Sequence, residues 1–336
     1  MQWDIFCRVI DNHGDLGVCW RLAADLASRG EAVRLWVDDP SALDWMAPSG
    51  ARGVSVMRWV AALTEATPGD VVVEAFGCDP PPEFVTCMAR RSPVPVWINL
   101  EYLSAEAYVE RSHRLPSPGG AGLTKWFWFP GFTAATGGLL REPDALTQGA
   151  PPWPALGVAP SAGERCVSLF SYADAPFAPL FDRLDDQPTL LLIAAGASQA
   201  PAMTALESRP RRHLRSHALP WLSQRDYDRL LQACDLNFAR GEDSIVRAMW
   251  AGAPFVWNIY RQDDGVHARK LDALLGRMDA ASPVRTLWQA WNRLGDWPAG
   301  LPAATPWRQD CLRWRASLLE QADLTSQLLQ FAAAKR

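Results

Sequence analysis

The first hundred residues alternate short apolar runs with stretches whose apolar positions recur at helical spacing. WDIFCRVI (3–10) is an apolar run that ends in the polar, glycine-containing turn DNHGD. LGVCWRLAADLASR (16–29) puts Leu16, Cys19 or Trp20, Ala23 and Leu26 or Ala27 on one face, and Gly30 stops it as a helix C-terminal glycine does. EAVRLWVDD (31–39), VSVMRW (54–59), VVVEAFG (71–77) and VPVWINLEYL (94–103) read as further strands. Near-continuous apolar strands separated by helical segments predict a buried, mostly parallel sheet.

After residue 164 the same rhythm returns. CVSLFSYA (166–173), TLLLIAAG (189–196) and HLRSHALP (213–220) read as strands, and SQRDYDRLLQACD as a helix capped by Ser223. LNFARGED (236–243) runs into SIVRAMWAG, a helix stopped at Gly252; PFVWNIY (254–260) is a strand, with a helix over 264–275. The leucines between Trp307 and Phe331 predict terminal helices with one docking face. Between the halves, residues 141–164 hold five Pro and three Gly, which predicts a linker. Two α/β sheets would leave a cleft between them, with ligands beyond the carboxyl ends of the strands.

At 336 residues the chain is long enough for two cores. Its 33 basic and 37 acidic residues give a net charge of −4, which excludes a chain-wide polybasic surface and argues against a nucleic-acid partner. No apolar run reaches membrane-spanning length, and the apolar N-terminal stretch has no basic region before it, so it reads as a core strand and not as a signal peptide. Seven irregularly spaced cysteines without CxxC predict reduced, buried thiols and a cytoplasmic location. No HExxH pattern occurs, and the acidic pairs Asp38–Asp39, Asp185–Asp186 and Asp263–Asp264 read as turn or surface residues, so no metal site is expected. Tryptophan is over-used, with 17 Trp against 5 Tyr; core packing is the expectation for most of them.

Four loops after strands could carry chemistry. Asp11-Asn12-His13-Gly14-Asp15 is not GxGxxG; its two carboxylates would repel a phosphate and welcome a cation, although Asp15 could instead cap the helix and Asp11 or Asn12 form an Asx turn. Arg240-Gly241-Glu242-Asp243-Ser244 opens a helix whose free N–H groups could hold a diphosphate, with Ser244 donating and the acidic pair taking sugar hydroxyls; the alternative is a capping cluster with Arg240 as counter-ion. Trp221 and Gln224 could stack on and hydrogen-bond a base, and Tyr172 and Tyr260 follow strands. Glu74 and Glu101, each in an apolar context, are either hydrogen-bonded support or acceptor-binding groups.

Five segments, CRVIDNHGDLGVCWRLA, VVVEAFGCDPP, VWINLEYLSAEAYVERSHRLPSP, KWFWFPGFT and CDLNFARGEDSIVRAMWAGAPFVWNIY, occur in one order along nearly the whole chain. In these the sequence closely resembles the EarP family, bacterial protein-arginine rhamnosyltransferases that modify translation elongation factor P. The resemblance implies a GT-B fold, two facing Rossmann-like domains with a cleft between them. It divides the chain into an acceptor-binding domain (1–155), completed by a C-terminal helix at about 315–333, and a nucleotide-sugar-binding domain (160–312). It implies TDP-β-L-rhamnose as donor, an arginine of elongation factor P as acceptor, inversion, and no metal or cofactor. Asp15 would be the general base and Asp11 its partner, with Asp11, Asn12 and Glu101 on the acceptor side. Tyr172, Trp221, Gln224, Arg240, Glu242, Asp243, Ser244 and Tyr260 would bind donor, with Trp221 where the family usually has Phe. The rival expectations are another GT-B enzyme using a different nucleotide sugar, or a non-catalytic protein that docks on a translation factor.

Overall fold

The computed structural model describes residues 1–9, 13–59 and 67–336; Asp11 and Asn12 lie outside the described residues. The chain divides into two compact units. The first holds Met1–Pro143 and Glu320–Arg336, the second Asp144–Leu319, so residues 144–155 and 315–319 belong to the second. The first boundary falls inside the Pro- and Gly-rich segment 141–164.

The first unit is built on a seven-stranded sheet. Its strands are β1 (Gln2–Cys7), β2 (Ala32–Val37), β3 (Val54–Arg58), β4 (Val71–Ala75), β5 (Val96–Leu100), β6 (Pro116–Pro118) and β7 (Thr124–Trp128), in the spatial order β3-β2-β1-β4-β5-β7-β6. Every neighbouring pair is parallel except β6 with β7.

The period-2 alternation of side chains sorts β1 between two layers. Trp3, Ile5 and Cys7 join the core shared with the helix Gly14–Ser28, while Phe6 joins Phe84 and Met88 of the helix Pro82–Ala89 on the opposite face. Asp4 points into that second layer, fully buried. It is compensated by Arg34 at 2.6 Å, the indole N–H of Trp36 at 2.8 Å and the backbone N–H of Gly69 at 2.6 Å. The C-terminal helix Leu324–Lys335 completes the first layer with Leu324, Leu328, Phe331 and Ala332.

The second unit has a five-stranded parallel sheet. Its strands β8 (Arg165–Leu169), β9 (Thr189–Ile193), β10 (Leu214–Ala218), β11 (Leu236–Arg240) and β12 (Phe255–Asn258) lie in the order β10-β9-β8-β11-β12. Helix Gln224–Ala233 begins at Ser223, whose hydroxyl accepts from the Asp226 N–H, the capping role the sequence predicted. Gly252 ends the helix Gly241–Ala251 in the left-handed conformation at φ 70°. Trp288 and Trp291 pack edge-on against Phe255 and Phe238 at 5.5 and 4.9 Å.

Several elements are shorter than their sequence patterns. The strand before the Arg240–Ser244 turn ends at Arg240, and Gly241 turns the chain into the helix that the sequence places there. The run VPVWINLEYL pairs only over Val96–Leu100. Strand β7, TKWFW, is not among the strands the sequence pattern predicts; it lacks strict apolar–polar alternation. All seven cysteines are free thiols, six of them buried. Among the described residues no helix is long and apolar enough to cross a membrane.

Candidate active site

In each sheet the first strand has neighbours on both sides reached by chain running in opposite directions. That makes β1/β4 and β8/β11 switch points, where open α/β sheets bind ligands beyond the strands' carboxyl ends. The predicted site residues other than Asp11 and Asn12, which lie outside the described residues, follow strands of one sheet or the other, and each unit is taken by itself.

In the first unit, Asp15 stands in the first turn of the helix Gly14–Ser28. It does not cap that helix, because His13 holds the cap position. Its Oδ2 lies 3.5 Å from the hydroxyl of Tyr102, just past β5. Tyr102 stacks on Phe76, just past β4, with centroids 4.5 Å apart and planes 19° apart. Glu101 is half-buried; its Oε1 accepts from the buried amide of Asn99 at 2.9 Å, and its backbone N–H donates to Trp128.

Glu74 is support and not a binding group. It is fully buried, paired with Lys125 at 2.5 Å, and accepts from the indole of Trp97 at 3.0 Å. Burial pushes its carboxyl up and the Lys125 hydrogen bond pulls it back, leaving it above the usual carboxylate range. Of the acidic pairs, Asp39 accepts from the Ser41 N–H and Asp264 from the Val266 N–H, which are turn roles, whereas Asp38 and Asp185 tie distant segments together by accepting from the Val9 N–H and from the His213 and Leu214 N–H groups.

In the second unit, the turn from β11 into helix Gly241–Ala251 is made by one residue, Gly241 at φ 72°, and the indole of Trp257 pins its carbonyl at 3.1 Å. Glu242 and Asp243 fall in the first helical turn. Asp243 lies 3.6 Å from Arg247, which is buried. Ser244 is buried beneath that turn beside the hydroxyl of Tyr227, whose own acidity burial suppresses.

Arg240 lays its guanidinium over Phe170 at 4.4 Å and Tyr172 at 5.1 Å and donates to the Ser171 carbonyl. Tyr172 meets Tyr260 edge-on at 5.6 Å. A pocket of about 210 Å³ opens beside them, lined by Tyr172, Asp174, Asn258, Tyr260, His267 and Asn292 among others.

Trp221 follows β10 and is 48% exposed, a ring available for stacking; Gln224 begins the next helix, half-buried. These two sit toward the far edge of the sheet from β12, yet they are not isolated. Gly196, at φ 130°, lies so that a Cβ there would meet Trp221 at 3.7 Å and Phe170 at 3.9 Å. Trp221 and Phe170, the latter under Arg240, thus both approach Gly196. Nothing in the sequence pattern singles out Phe170, Asn258 or Asn292. Asn258 accepts from the Tyr172 N–H at 2.9 Å, and Asn292 donates to the Trp257 and Trp288 carbonyls at 2.7 and 2.8 Å. Single apolar and amide residues at the ends of strands and helices carry no local signal of such long-range contacts.

Among the described residues no three His, Cys, Asp or Glu side chains cluster as metal ligands. Solved glycosyltransferases share the architecture. A spinosyn rhamnosyltransferase, SpnG, complexed with thymidine diphosphate matches 98% of this chain and 100% of its own at TM-score 0.54 and 13% identity, a likeness of fold alone. Two Rossmann-like units of this kind give the chain the GT-B fold of these glycosyltransferases.

Residues 3–333 match the family described as Elongation-Factor P (EF-P) rhamnosyltransferase EarP. The protein-arginine rhamnosyltransferases of Pseudomonas aeruginosa and Pseudomonas putida are 41% and 43% identical to this chain, covering 99% and 98% of it and of themselves. A solved structure described as "Structural basis for EarP-mediated arginine glycosylation of translation elongation factor EF-P" covers 100% of this chain and 99% of its own, at TM-score 0.67 and 32% identity. The chain belongs to the EarP family.

Proposed function

We propose that this chain moves rhamnose from TDP-β-L-rhamnose to an arginine side chain of translation elongation factor P, in one inverting displacement without a metal. The observation that carries the reading is the family match along residues 3–333, on a fold whose first switch point presents Asp15. The named relatives act on arginine by their descriptions, and that activity is carried to this chain on the strength of near-complete coverage.

The chemistry asks for two things. A guanidinium is a poor nucleophile, its charge delocalised and its pKa above about 12. A carboxylate that binds it in a fixed orientation and takes its proton as the C–N bond forms answers the first need, and Asp15 has that role, with Asp11 as partner. Glu101, held by Asn99, lies one residue from Tyr102 and can bind the acceptor's remaining N–H groups.

The second need is a home for the charge that grows on the departing diphosphate. The N-terminus of helix Gly241–Ala251 and the Arg240 guanidinium supply positive potential there. Trp221 stacks on thymine and Gln224 bonds its edge; Glu242 and Asp243 take sugar hydroxyls. A direct displacement inverts the anomeric centre, so no enzyme nucleophile is required. A cytoplasmic location fits a protein that acts on a translation factor and keeps seven free thiols.

Thermal shift with a panel of nucleotide sugars tests the donor. Stabilisation by TDP-rhamnose is expected, and stabilisation by UDP-sugars alone would contradict it.

A further inference from the structure

Among the described residues with a positive φ that are not glycine, Phe76 is the only aromatic one, at φ 58°. Gly77 follows at φ 68°, and the Cys78 N–H donates to the Ala75 carbonyl at 3.2 Å. A two-residue turn with both centres left-handed ordinarily takes Asn, Asp or Gly. A bulky side chain there is disfavoured by contact of its Cβ with the backbone.

The surroundings show what the strained residue holds in place. The Phe76 N–H donates to the Leu100 carbonyl at 2.7 Å, which ties the turn to the end of β5. Its ring lies against Tyr102, and the Tyr102 hydroxyl reaches Asp15 at 3.5 Å. Three loops, after β1, β4 and β5, are thereby joined at one switch point. Tyr102 stays 39% exposed, so the stack is open to a ligand. Any cation bound by the Asp15 carboxylate arrives within a few ångströms of this ring, and a flat guanidinium suits an aromatic surface as well as a carboxylate.

We propose that the Phe76–Tyr102 stack positions the acceptor: Phe76 holds Tyr102 beside Asp15, and the Tyr102 ring orients the arginine guanidinium there for proton removal. This rests on the function proposed above. It makes Tyr102 and Phe76 positioning residues, with Phe76 acting through Tyr102.

Steady-state kinetics with elongation factor P and TDP-rhamnose test it. Phe76→Gly removes the ring while Gly accepts the left-handed backbone, so the variant is expected to fold. The acceptor KM should rise about tenfold in Phe76→Gly and in Tyr102→Leu, with donor KM unchanged. Tyr102→Phe should restore the acceptor KM to within about twofold, since it keeps the ring. An unchanged acceptor KM in Tyr102→Leu, an equal rise in both KM values, or failure of Tyr102→Phe to rescue would overturn the proposal. Asp15→Asn run alongside separates the two readings. An inactive wild type or a fully active Asp15→Asn removes the function and the stack together. A transferring wild type, an inactive Asp15→Asn and unchanged KM values in Tyr102→Leu remove the stack alone.

Discussion

Arg29 and Asp323, 294 positions apart in sequence, form an ion pair at 2.8 Å that fastens the C-terminal helix to the helix Gly14–Ser28. Burial raises the Asp323 carboxyl, but hydrogen bonds from Ser326 and the Arg29 charge outweigh it and leave it below the usual range. The pair is partly exposed, so most of the docking energy belongs to the apolar face that carries Leu328. Leu328→Ala is expected to cost about 2–4 kcal/mol. Asp323→Asn, which keeps a helix cap, should cost about 1 kcal/mol. Urea unfolding midpoints would check the order, and equal losses would show that the pair dominates.

His113 predicts a pH dependence of stability. Its ring packs edge-on against Trp128 at 4.6 Å, its Nδ1 accepts from the Phe129 N–H, and burial followed by the Arg114 charge lowers its pKa to about 4. An unfolded histidine titrates near about 6.5, so between those values the unfolded chain binds the extra proton. His113 stabilises the fold fully above about 6.5 and loses that contribution as pH falls toward 4. With its partial exposure, the loss is of order 1–2 kcal/mol. His113→Asn, which keeps an acceptor for Phe129, should flatten the stability curve over this range. An unchanged curve would assign the acid sensitivity elsewhere.

Asp15→Asn keeps the size of the side chain and removes its basicity. Transfer should fall by roughly 10²–10⁴-fold. TDP-rhamnose affinity, measured by calorimetry, should stay within about threefold, because the donor groups belong to the second unit. Full turnover by this variant would take Asp15 out of the base role.

Trp221→Ala should weaken TDP-rhamnose binding by about tenfold or more, the loss of one base stack. Trp221→Phe should recover most of it. The exposure of the ring, unusual for an indole in this chain, is the reason to expect a ligand effect and little loss of stability. Unchanged donor affinity in Trp221→Ala would rule out the stack.

The alternation of apolar runs and helical stripes makes both sheets legible in the sequence except for β6 and β7, as do the turn residues Gly30, Ser223, Gly241 and Gly252. All are local signals, set by side-chain period or backbone φ. Residue type within a turn was enough to single out Asp15, Arg240 and Trp221, but their surroundings were not legible. Phe170 beneath Arg240, the Asn258–Asn292 amides behind Tyr172 and the burial of Ser244 all depend on contacts between distant segments. Glu74 shows the same limit: its apolar neighbours fit either a ligand or a buried ion pair, and only Lys125, about fifty positions away, decides between them. The tryptophan excess is partly a matter of packing. Trp3, Trp128, Trp288 and Trp291 are among the largest fully buried side chains.

The most direct test of the central claim is the intact mass of elongation factor P after incubation with this protein and TDP-rhamnose. A gain of one deoxyhexose, mapped to a single arginine, is the predicted result. Elongation factor P of unchanged mass would contradict it, and binding without that mass gain would leave a docking protein in place of an enzyme.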